Sequence, residues 1–406
     1  MSDWISKYLE ATDGIPSPEI FRLWTAIGAV GGAMERRLWV TTSLGKLYMN
    51  LYILLIAPPG IGKTEALRPA EYIMKQCKDL NIAPGSMTKA AVIDTLREAR
   101  RIITLPGGQN ILQYHSLQIL VGELGVLLNA HDLELLAVFN ELFDNKESFR
   151  ERRRHVNAGK EIQIANPQIN IVAGAQPALI STIFPEEAWG LGTLSRFILV
   201  FAAEGFKPDI FGPVVNRQKL YQELADQMQP WTNLYGQFKW EDNAIAPMRK
   251  YYAEDLQPVP DHPRLISYNT RRIQFLIKLS AISALSRTSD IVIDAYDVER
   301  ARFWILQVEN AMPGIFQAMT LRTDAQLIEE LHIWMWKKYR EGKLKPLHES
   351  LLHEFLSHRV YAERVPRIID LARKSYLITD LGSGMFKPAP RLDLGAGILK
   401  TKLGGH

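Results

Sequence analysis

A glycine-rich loop, APPGIGKT at residues 57–64, constrains the fold of this chain more than any other feature. It follows the continuously apolar run 51–56, which is typical of a buried strand, and it opens a helical pattern. In a strand–loop–helix unit of this kind, Gly60 and Gly62 let successive backbone N–H groups converge on phosphate oxygens. Lys63 adds a compact positive charge beside the β- and γ-phosphates. The loop therefore predicts a nucleoside triphosphate site at the end of a strand.

The expected cofactors of this site are ATP and Mg²⁺. Thr64 provides the hydroxyl that ligates Mg²⁺ in such loops, and Glu123 is a second candidate metal ligand. Ala57 stands where the commonest pattern has its first glycine, and its side chain is small enough for that position. An ordinary strand-to-helix turn is the competing interpretation. The predicted nucleotide-binding residues are Pro59, Gly60, Ile61, Gly62, Lys63, Thr64 and Glu65.

Composition narrows the class of protein. The 406 residues are 47% hydrophobic and 23% charged, which suits a globular chain of two or three domains. The 48 Lys and Arg against 44 Asp and Glu leave a net charge of +4, too small to indicate nucleic acid binding by itself. The single Cys77 excludes a disulfide framework and a zinc site built on several cysteines. No apolar run approaches the roughly 18 residues of a membrane span, and the N-terminus lacks a secretory signal pattern. We therefore expect a cytoplasmic protein with no membrane partner.

The fold class expected is α/β, a P-loop NTPase. Strand patterns alternate with helical patterns in the first half of the chain, which predicts a parallel sheet flanked by helices. The predicted strands are residues 38–42, 51–56, 117–121, 168–173 and 197–202, and an amphipathic helix is predicted over residues 86–101. Helical patterns dominate beyond residue 206, as at 218–228, 271–286 and 295–312. We predict a helical lead-in (1–44), an ATPase core (45–205), a helical lid (206–320), a winged-helix domain (321–394) and a flexible tail (395–406).

The winged-helix prediction depends on the order of elements near the C-terminus. Helical patterns at residues 324–339, 346–356 and 362–374 precede a hairpin of 377–379 with 385–387. The third helix suits a DNA groove if Pro366 falls within its first turn. Winged helices also dock proteins, so both roles stay open.

Two polar residues follow predicted strands on the expected nucleotide side of the sheet. Glu123 comes directly after an apolar strand and is placed to orient the water that attacks the γ-phosphate. Gln176 ends the run INIVAGAQP, where its amide would both accept from that water and donate to phosphate. A surface carboxylate at a helix start and a turn cap before Pro177 are the competing interpretations.

Arginines near the end of this region are candidates for stabilising transition-state charge. Arg196, in LSRFILVF, precedes an apolar strand, from which a guanidinium reaches the γ-phosphate held by a neighbouring subunit. The alternative is that Arg196 is a surface residue paired with Glu186 or Glu187. Arg271 and Arg272 open an amphipathic helix, and one of them would close over the nucleotide unless both are solvated.

The order of these motifs resembles the ATPase module of the AAA+ hexameric helicases, above all the minichromosome-maintenance helicases, over residues 45–310. The motifs are the glycine-rich loop, the strand leading to Glu123, and the runs VAGAQP, LSRF and TRRIQFLIKLS. On that resemblance Gln176 corresponds to the first sensor, Arg196 to the arginine finger and Arg272 to the second sensor. Two departures, Gly122 for the usual aspartate and glutamine for the commoner asparagine, imply slow hydrolysis. The runs NLYILLIAPPGIGKT and QPALISTI also resemble primase-helicase-associated ATPases of phages, plasmids and genomic islands.

A basic segment, FRERRRHVNAGKEIQI, precedes the strand that leads to Gln176. Its turn chemistry at residues 157–159 predicts a hairpin, and its basic residues would neutralise nucleic acid backbone without reading bases. The helicases named above carry a similar channel hairpin. A solvated loop paired with Glu147 and Glu151 is the alternative. The predicted DNA contacts are Arg152, Arg153, Arg154 and Lys160.

The resemblance implies an ATP-dependent DNA helicase or motor that acts as a ring, a hexamer, in replication of a phage, plasmid or genomic island. Its DNA partner would be a single strand or fork, bound largely without sequence preference, and a primase or another replication protein is a possible companion. One alternative is an ATP-switched origin-binding initiator or helicase loader. Another is a non-replicative AAA+ ATPase that acts on protein.

Overall fold

The structure, a computed structural model, describes residues 3–43, 45–104, 111–128, 132–153, 160–184, 192–209, 211, 215–342, 344–357 and 364–389. The chain forms two compact units, Met1–Gln317 and Ala318–His406. Arg154, the predicted turn at 157–159, Glu186, Glu187 and the predicted tail lie outside the described residues.

The first unit is an α/β structure. Its strands, in chain order, are β1 (Leu38–Thr42), β2 (Gly45–Tyr48), β3 (Tyr52–Ile56), β4 (Arg100–Thr104), β5 (Ile111–Val121), β6 (Ser148–Arg153), β7 (Lys160–Ala165), β8 (Pro167–Ala175), β9 (Phe197–Phe201), β10 (Gly236–Gln237), β11 (Lys239–Trp240) and β12 (Val292–Ile293). Its helices are α1 (Trp4–Ala11), α2 (Glu19–Met34), α3 (Lys63–Gln76), α4 (Lys89–Glu98), α5 (Leu133–Phe143), α6 (Pro177–Ile183), α7 (Gln218–Met228), α8 (Asp242–Ala253), α9 (Ile266–Asn269), α10 (Arg272–Thr288) and α11 (Ala295–Glu341), which continues into the second unit.

A five-stranded sheet in the order β4-β5-β8-β3-β9 forms the centre of this unit. Four neighbouring strands, β5, β8, β3 and β9, run parallel, and only the edge strand β4 is antiparallel to its neighbour. Every residue of β3 and β8 is buried, as expected for parallel strands covered on both faces. Smaller ladders join β1 with β2 and β10, β6 with β7, and β11 with β12.

Helix α2 packs against this sheet through small residues. A β-carbon at Gly28 would lie 2.5 Å from Val172 Cγ2, so a larger residue would push the helix off β8. The Asn170 amide bridges the two layers, donating to Gly28 O at 3.0 Å and accepting from Leu51 N at 2.8 Å. Gln118 donates to Gly32 O at 3.0 Å in the same way. These buried amides fix the helix to the strands that end at the candidate site.

The predicted strands are all present, but two helix predictions were wrong in extent. A helix was expected over residues 86–101, whereas α4 ends at Glu98 and Arg100 begins β4, because this segment pairs with β5. Two helices were expected over 295–312 and 324–339, whereas one helix, α11, covers both ranges. Pro313 lies within this helix, where its missing N–H removes one backbone hydrogen bond. The burial of Ile315 and Phe316 just beyond it offsets that loss.

The second unit combines the end of α11 with β13 (Leu347–His348), α12 (Glu349–Ser357), α13 (Val365–Lys374), β14 (Ile378–Asp380) and β15 (Met385–Pro388). Its three strands form an antiparallel sheet in the order β13-β15-β14. Leu331, Leu352, Ile368 and Phe386 belong to its apolar core. The predicted hairpin is confirmed, and Gly382 and Gly384 at its turn adopt φ of 83° and 71°. Pro366 lies in the first turn of α13, where proline is tolerated.

Among the helices in the described part of the chain, none combines the length and apolar character that crossing a bilayer requires.

Candidate nucleotide-binding site

The glycine-rich loop joins the carboxyl end of β3 to the first turn of α3. Gly60 and Gly62 adopt left-handed φ angles of 79° and 85°. A β-carbon at Gly62 would also overlap the Pro16 carbonyl oxygen, because the segment before α2 lies against the loop. Only glycine therefore fits this position, and the loop is fixed from outside by a residue that local sequence patterns did not indicate.

Lys63 is buried beneath the loop, with 7% of its surface exposed. Its ammonium donates to Ala57 O at 2.9 Å and to Pro58 O at 3.0 Å. These carbonyls belong to the first two residues of the loop, so the positive charge is held next to the loop. An anion bound by the loop N–H groups would lie within reach of this ammonium.

Glu123 and Gln176 lie next to this loop, as the sequence predicted. They follow β5 and β8, which run parallel to β3, so all three segments meet at the carboxyl edge of the sheet. Gln176 Nε2 donates to Glu123 Oε1 at 3.2 Å. A cavity of about 410 Å³ is lined by Pro16, Pro59, Gly60, Gly62, Lys63, Thr64, Glu65, Glu123 and Gln176.

The donors around this cavity fit a nucleotide-bound magnesium ion. Within the residues described, no group of three or more His, Cys, Asp or Glu side chains is placed to hold a metal. Mg²⁺ in nucleotide sites takes most of its ligands from phosphates and water and only one or two from protein. Thr64 and Glu123 at the cavity wall match that requirement. The described residues thus bring two oxygen-bearing side chains to the cavity wall, fewer than a metal held by protein alone would need.

A second cavity, of about 580 Å³, shares Pro16 and Glu65 with the first. Tyr72 and Tyr221 form one of its walls, with ring centroids 5.9 Å apart. An aromatic and largely apolar cavity beside the glycine-rich loop suits a planar base. Sequence reasoning missed it, because its walls come from the segment before α2, from α3 and from α7. The lining residues are Gly14, Ile15, Pro16, Glu65, Arg68, Pro69, Tyr72, Arg217, Gln218 and Tyr221.

Arg196 lies at the amino-terminal ends of the parallel strands, whereas the glycine-rich loop lies at their carboxyl-terminal ends. It immediately precedes β9, whose Phe197 pairs with Tyr52 at the start of β3, while the loop follows Ile56 at the end of β3. At about 3.3 Å per residue, the length of these parallel strands puts roughly 16 Å between the two sites. The Arg196 guanidinium therefore lies far from the glycine-rich loop of its own chain.

Arg196 belongs to an arginine cluster that also contains Asp144, Ser195 and Arg271. Arg196 donates to Asp144 Oδ2 at 2.6 Å and to Gly192 O at 2.8 Å. Arg271 donates to Ser195 Oγ at 3.1 Å and lies 3.5 Å from Asp144 Oδ1. Partial burial lowers the pKa of Arg271, and the neighbouring Arg196 charge adds to that effect. Two guanidiniums thus converge on one carboxylate.

The prediction that Arg272 reaches the nucleotide was wrong. Its guanidinium is buried and makes two hydrogen bonds of 2.7 Å with the Glu309 carboxylate. Its remaining N–H groups donate to the carbonyls of Asp255, Leu256 and Pro258 at 2.7–2.8 Å. Arg272 therefore holds α10 to α11 and to the preceding loop, and Arg271 is the residue of this pair that reaches the arginine cluster.

The two arms of the predicted basic hairpin form the antiparallel ladder β6–β7, in which Arg152 pairs with Glu161 and Arg153 with Lys160. Arg152 is exposed. Glu151, offered as a partner in the alternative interpretation, lies 3.5 Å from Lys89. Arg154 lies outside the described residues, so the structure does not bear on this member of the four predicted DNA contacts.

No protein-family model and no curated protein matches this chain.

Proposed function

We propose that this chain is an ATP-dependent DNA helicase or motor that works as a ring, a hexamer, in the cytoplasmic replication of a phage, plasmid or genomic island. One observation carries the proposal: the glycine-rich loop and Arg196 lie at opposite ends of two neighbouring parallel strands, β3 and β9. If Arg196 acts on a triphosphate, that triphosphate must be held by another copy of the chain. Repeating this head-to-tail contact closes a ring when the rotation between neighbouring copies divides a full turn, and a hexamer corresponds to a rotation of about 60°.

In the proposed site, each residue has a distinct task. Backbone N–H groups of the glycine-rich loop and the Lys63 ammonium would hold the β- and γ-phosphates, and the cavity beside Tyr72 and Tyr221 would take the base. Thr64 and Glu123 would hold the Mg²⁺, which neutralises phosphate charge when bound. Glu123, supported by the Gln176 amide, would orient a water toward the γ-phosphate. Arg196 of the neighbouring copy would stabilise the charge that develops.

The remaining architecture supports work on DNA. The order of elements in the second unit, helix–strand–helix–helix–strand–strand, is that of a winged helix, and α13 carries exposed Arg367 and Arg373. The basic hairpin would grip the backbone of a strand in the ring channel. The helices after β9 would form the lid of the ATPase core.

A mixing experiment tests whether the site is shared. Lys63→Ala disables nucleotide binding but keeps Arg196, whereas Arg196→Ala binds nucleotide but lacks the guanidinium. Each variant alone should hydrolyse ATP at least two to three orders of magnitude more slowly than the wild type. A 1:1 mixture should recover activity, because about one interface in four then combines an intact Lys63 with an intact Arg196.

The matched control mixes Lys63→Ala with the double variant Lys63→Ala/Arg196→Ala, which leaves no intact loop and should recover nothing. Nucleotide binding by Arg196→Ala is measured alongside with a fluorescent analogue and should match the wild type. Wild-type turnover by Arg196→Ala would refute the shared site. So would failure to recover in a mixture whose subunits exchange.

An origin-binding initiator or loader is the second candidate, and Gly122 favours it. Where the resembled helicases have an aspartate beside the metal, this chain has no side chain. Slow hydrolysis that switches assembly would suffice for an initiator. Displacement of a labelled strand from a fork separates the two, because an initiator would bind duplex without displacing a strand. Action on protein is the third possibility, and it predicts no salt-dependent DNA binding.

A further inference from the structure

The arginine cluster differs from the other arginine–carboxylate site in the same region. The pair Arg272–Glu309 is sealed, with 2% and 3% of the two side chains exposed. In the cluster, 40% of the Asp144 side chain is exposed, and Arg196 and Arg271 are 12% and 22% exposed. Solvent and ions therefore reach Asp144 but not Glu309.

Counted over the described residues, the charges of the cluster do not balance. There, Arg196 and Arg271 carry two positive charges against the single carboxylate of Asp144. Arg196 Nε has no hydrogen-bond partner among the described residues. A site open to solvent at Asp144, in which two guanidiniums share one carboxylate, is suited to an anion with more charge and more oxygens than one carboxylate.

We infer that the arginine cluster is a second phosphate-binding site, which Asp144 fills in the isolated chain and which a terminal phosphate takes over. Guanidinium forks match phosphate oxygens as well as they match carboxylate oxygens, and a terminal phosphate carries more charge. Asp144 is then a positioning residue: it keeps two like charges together and aimed outward until the anion arrives. That the phosphate is the γ-phosphate of a nucleotide held by a second copy rests on the proposed function.

Anion binding by the isolated chain tests the site without using ATP hydrolysis. Inorganic pyrophosphate is titrated at a protein concentration where the chain is monomeric, and binding is followed by calorimetry and thermal unfolding. Lys63→Ala is present in every variant, so that the glycine-rich loop does not contribute. Adding Asp144→Asn should tighten pyrophosphate binding at least about tenfold, because the competing carboxylate is gone while the guanidiniums remain.

Two variants control this result. Glu309→Gln neutralises the carboxylate of the sealed pair and should leave pyrophosphate affinity unchanged. Arg196→Ala combined with Asp144→Asn should abolish the gain. If Asp144→Asn unfolds without ligand, Asp144→Ser is used in its place, and thermal unfolding in chloride shows whether it is folded. Equal or weaker pyrophosphate binding by the folded Asp144 variant would overturn the inference.

The outcomes separate this inference from the proposed function. If pyrophosphate binding tightens but the mixed variants recover no ATPase activity, the cluster is a phosphate site and the shared active site is refuted. If the mixture recovers activity but Asp144→Asn does not gain affinity, Arg196 acts across the interface and Asp144 is not a stand-in for phosphate. With both correct, Asp144→Asn should also reach half-maximal turnover at a several-fold lower protein concentration.

Discussion

Gly122 lies so close to Thr64 that a β-carbon at residue 122 would stand 2.6 Å from Thr64 Oγ1 and 3.3 Å from Thr64 Cβ. The carbonyl of Gly122 is crowded from its other side, where a β-carbon on Gly174 would overlap it. The absence of a carboxylate at residue 122 is therefore a packing requirement of this chain. Thr64 occupies the space that a side chain would need.

We expect Gly122→Asp to weaken binding of ATP·Mg²⁺ about tenfold or more, because overpacking of 1–3 kcal/mol would displace Thr64. Titration with a fluorescent ATP analogue measures the change. Gly125→Ala is the matched control, since its β-carbon would meet the end of the flexible Leu179 side chain at 3.2 Å. Faster hydrolysis or tighter binding in Gly122→Asp would contradict this view and would show that the chain merely lacks a metal ligand.

Arg272→Ala should destabilise the fold by about 3–5 kcal/mol, because it leaves the Glu309 carboxylate buried without its partner. Urea unfolding measures the loss. Arg271→Ala, which removes the adjacent and more exposed guanidinium, should cost about 1 kcal/mol or less. A stable Arg272→Ala protein with impaired ATP hydrolysis would instead restore the second-sensor interpretation.

The contrast between Arg271 and Arg272 shows where sequence reasoning stops. The glycine-rich loop, Glu123 and Gln176 were found from local pattern, because residues that directly follow parallel strands gather at one edge of a sheet. The assignment of Arg272 failed because the side chain that decides it, Glu309, lies 37 positions further along the chain.

Pro16 and Tyr221 were missed for the same reason. Both residues line the cavity of about 580 Å³ together with residues of α3, yet neither belongs to a local sequence motif. The helix expected to extend through residue 101 was cut short by pairing of Arg100 with His115, a contact between separate segments. Local propensity identified the elements in each case, and tertiary packing decided which side chains they bring together.

The basic hairpin gives a prediction about salt. We expect Arg152→Ala/Arg153→Ala/Arg154→Ala to weaken binding of single-stranded DNA and to reduce the slope of log affinity against log salt by about 2, since each lost phosphate contact removes about 0.7. Fluorescence anisotropy over a salt series measures both. The control removes three exposed lysines elsewhere, Lys75, Lys219 and Lys250, and should leave the slope unchanged. An equal change in both triple variants would point to net charge alone.

Lys278 makes the stability of the fold depend on pH. Burial, with a contribution from the nearby Arg271 charge, lowers the pKa of its ammonium from 10.5 to about 7, although it donates to Asn50 O at 2.7 Å. Between about pH 7 and 10.5 the unfolded chain binds a proton here that the native chain does not. Its contribution to the free energy of unfolding therefore rises with pH in that window and is flat below it. Lys278→Met should remove this rise in urea unfolding between pH 7 and 10, whereas Lys75→Met, at an exposed site, should keep the wild-type slope. A wild-type slope in Lys278→Met would show that the buried amine stays charged.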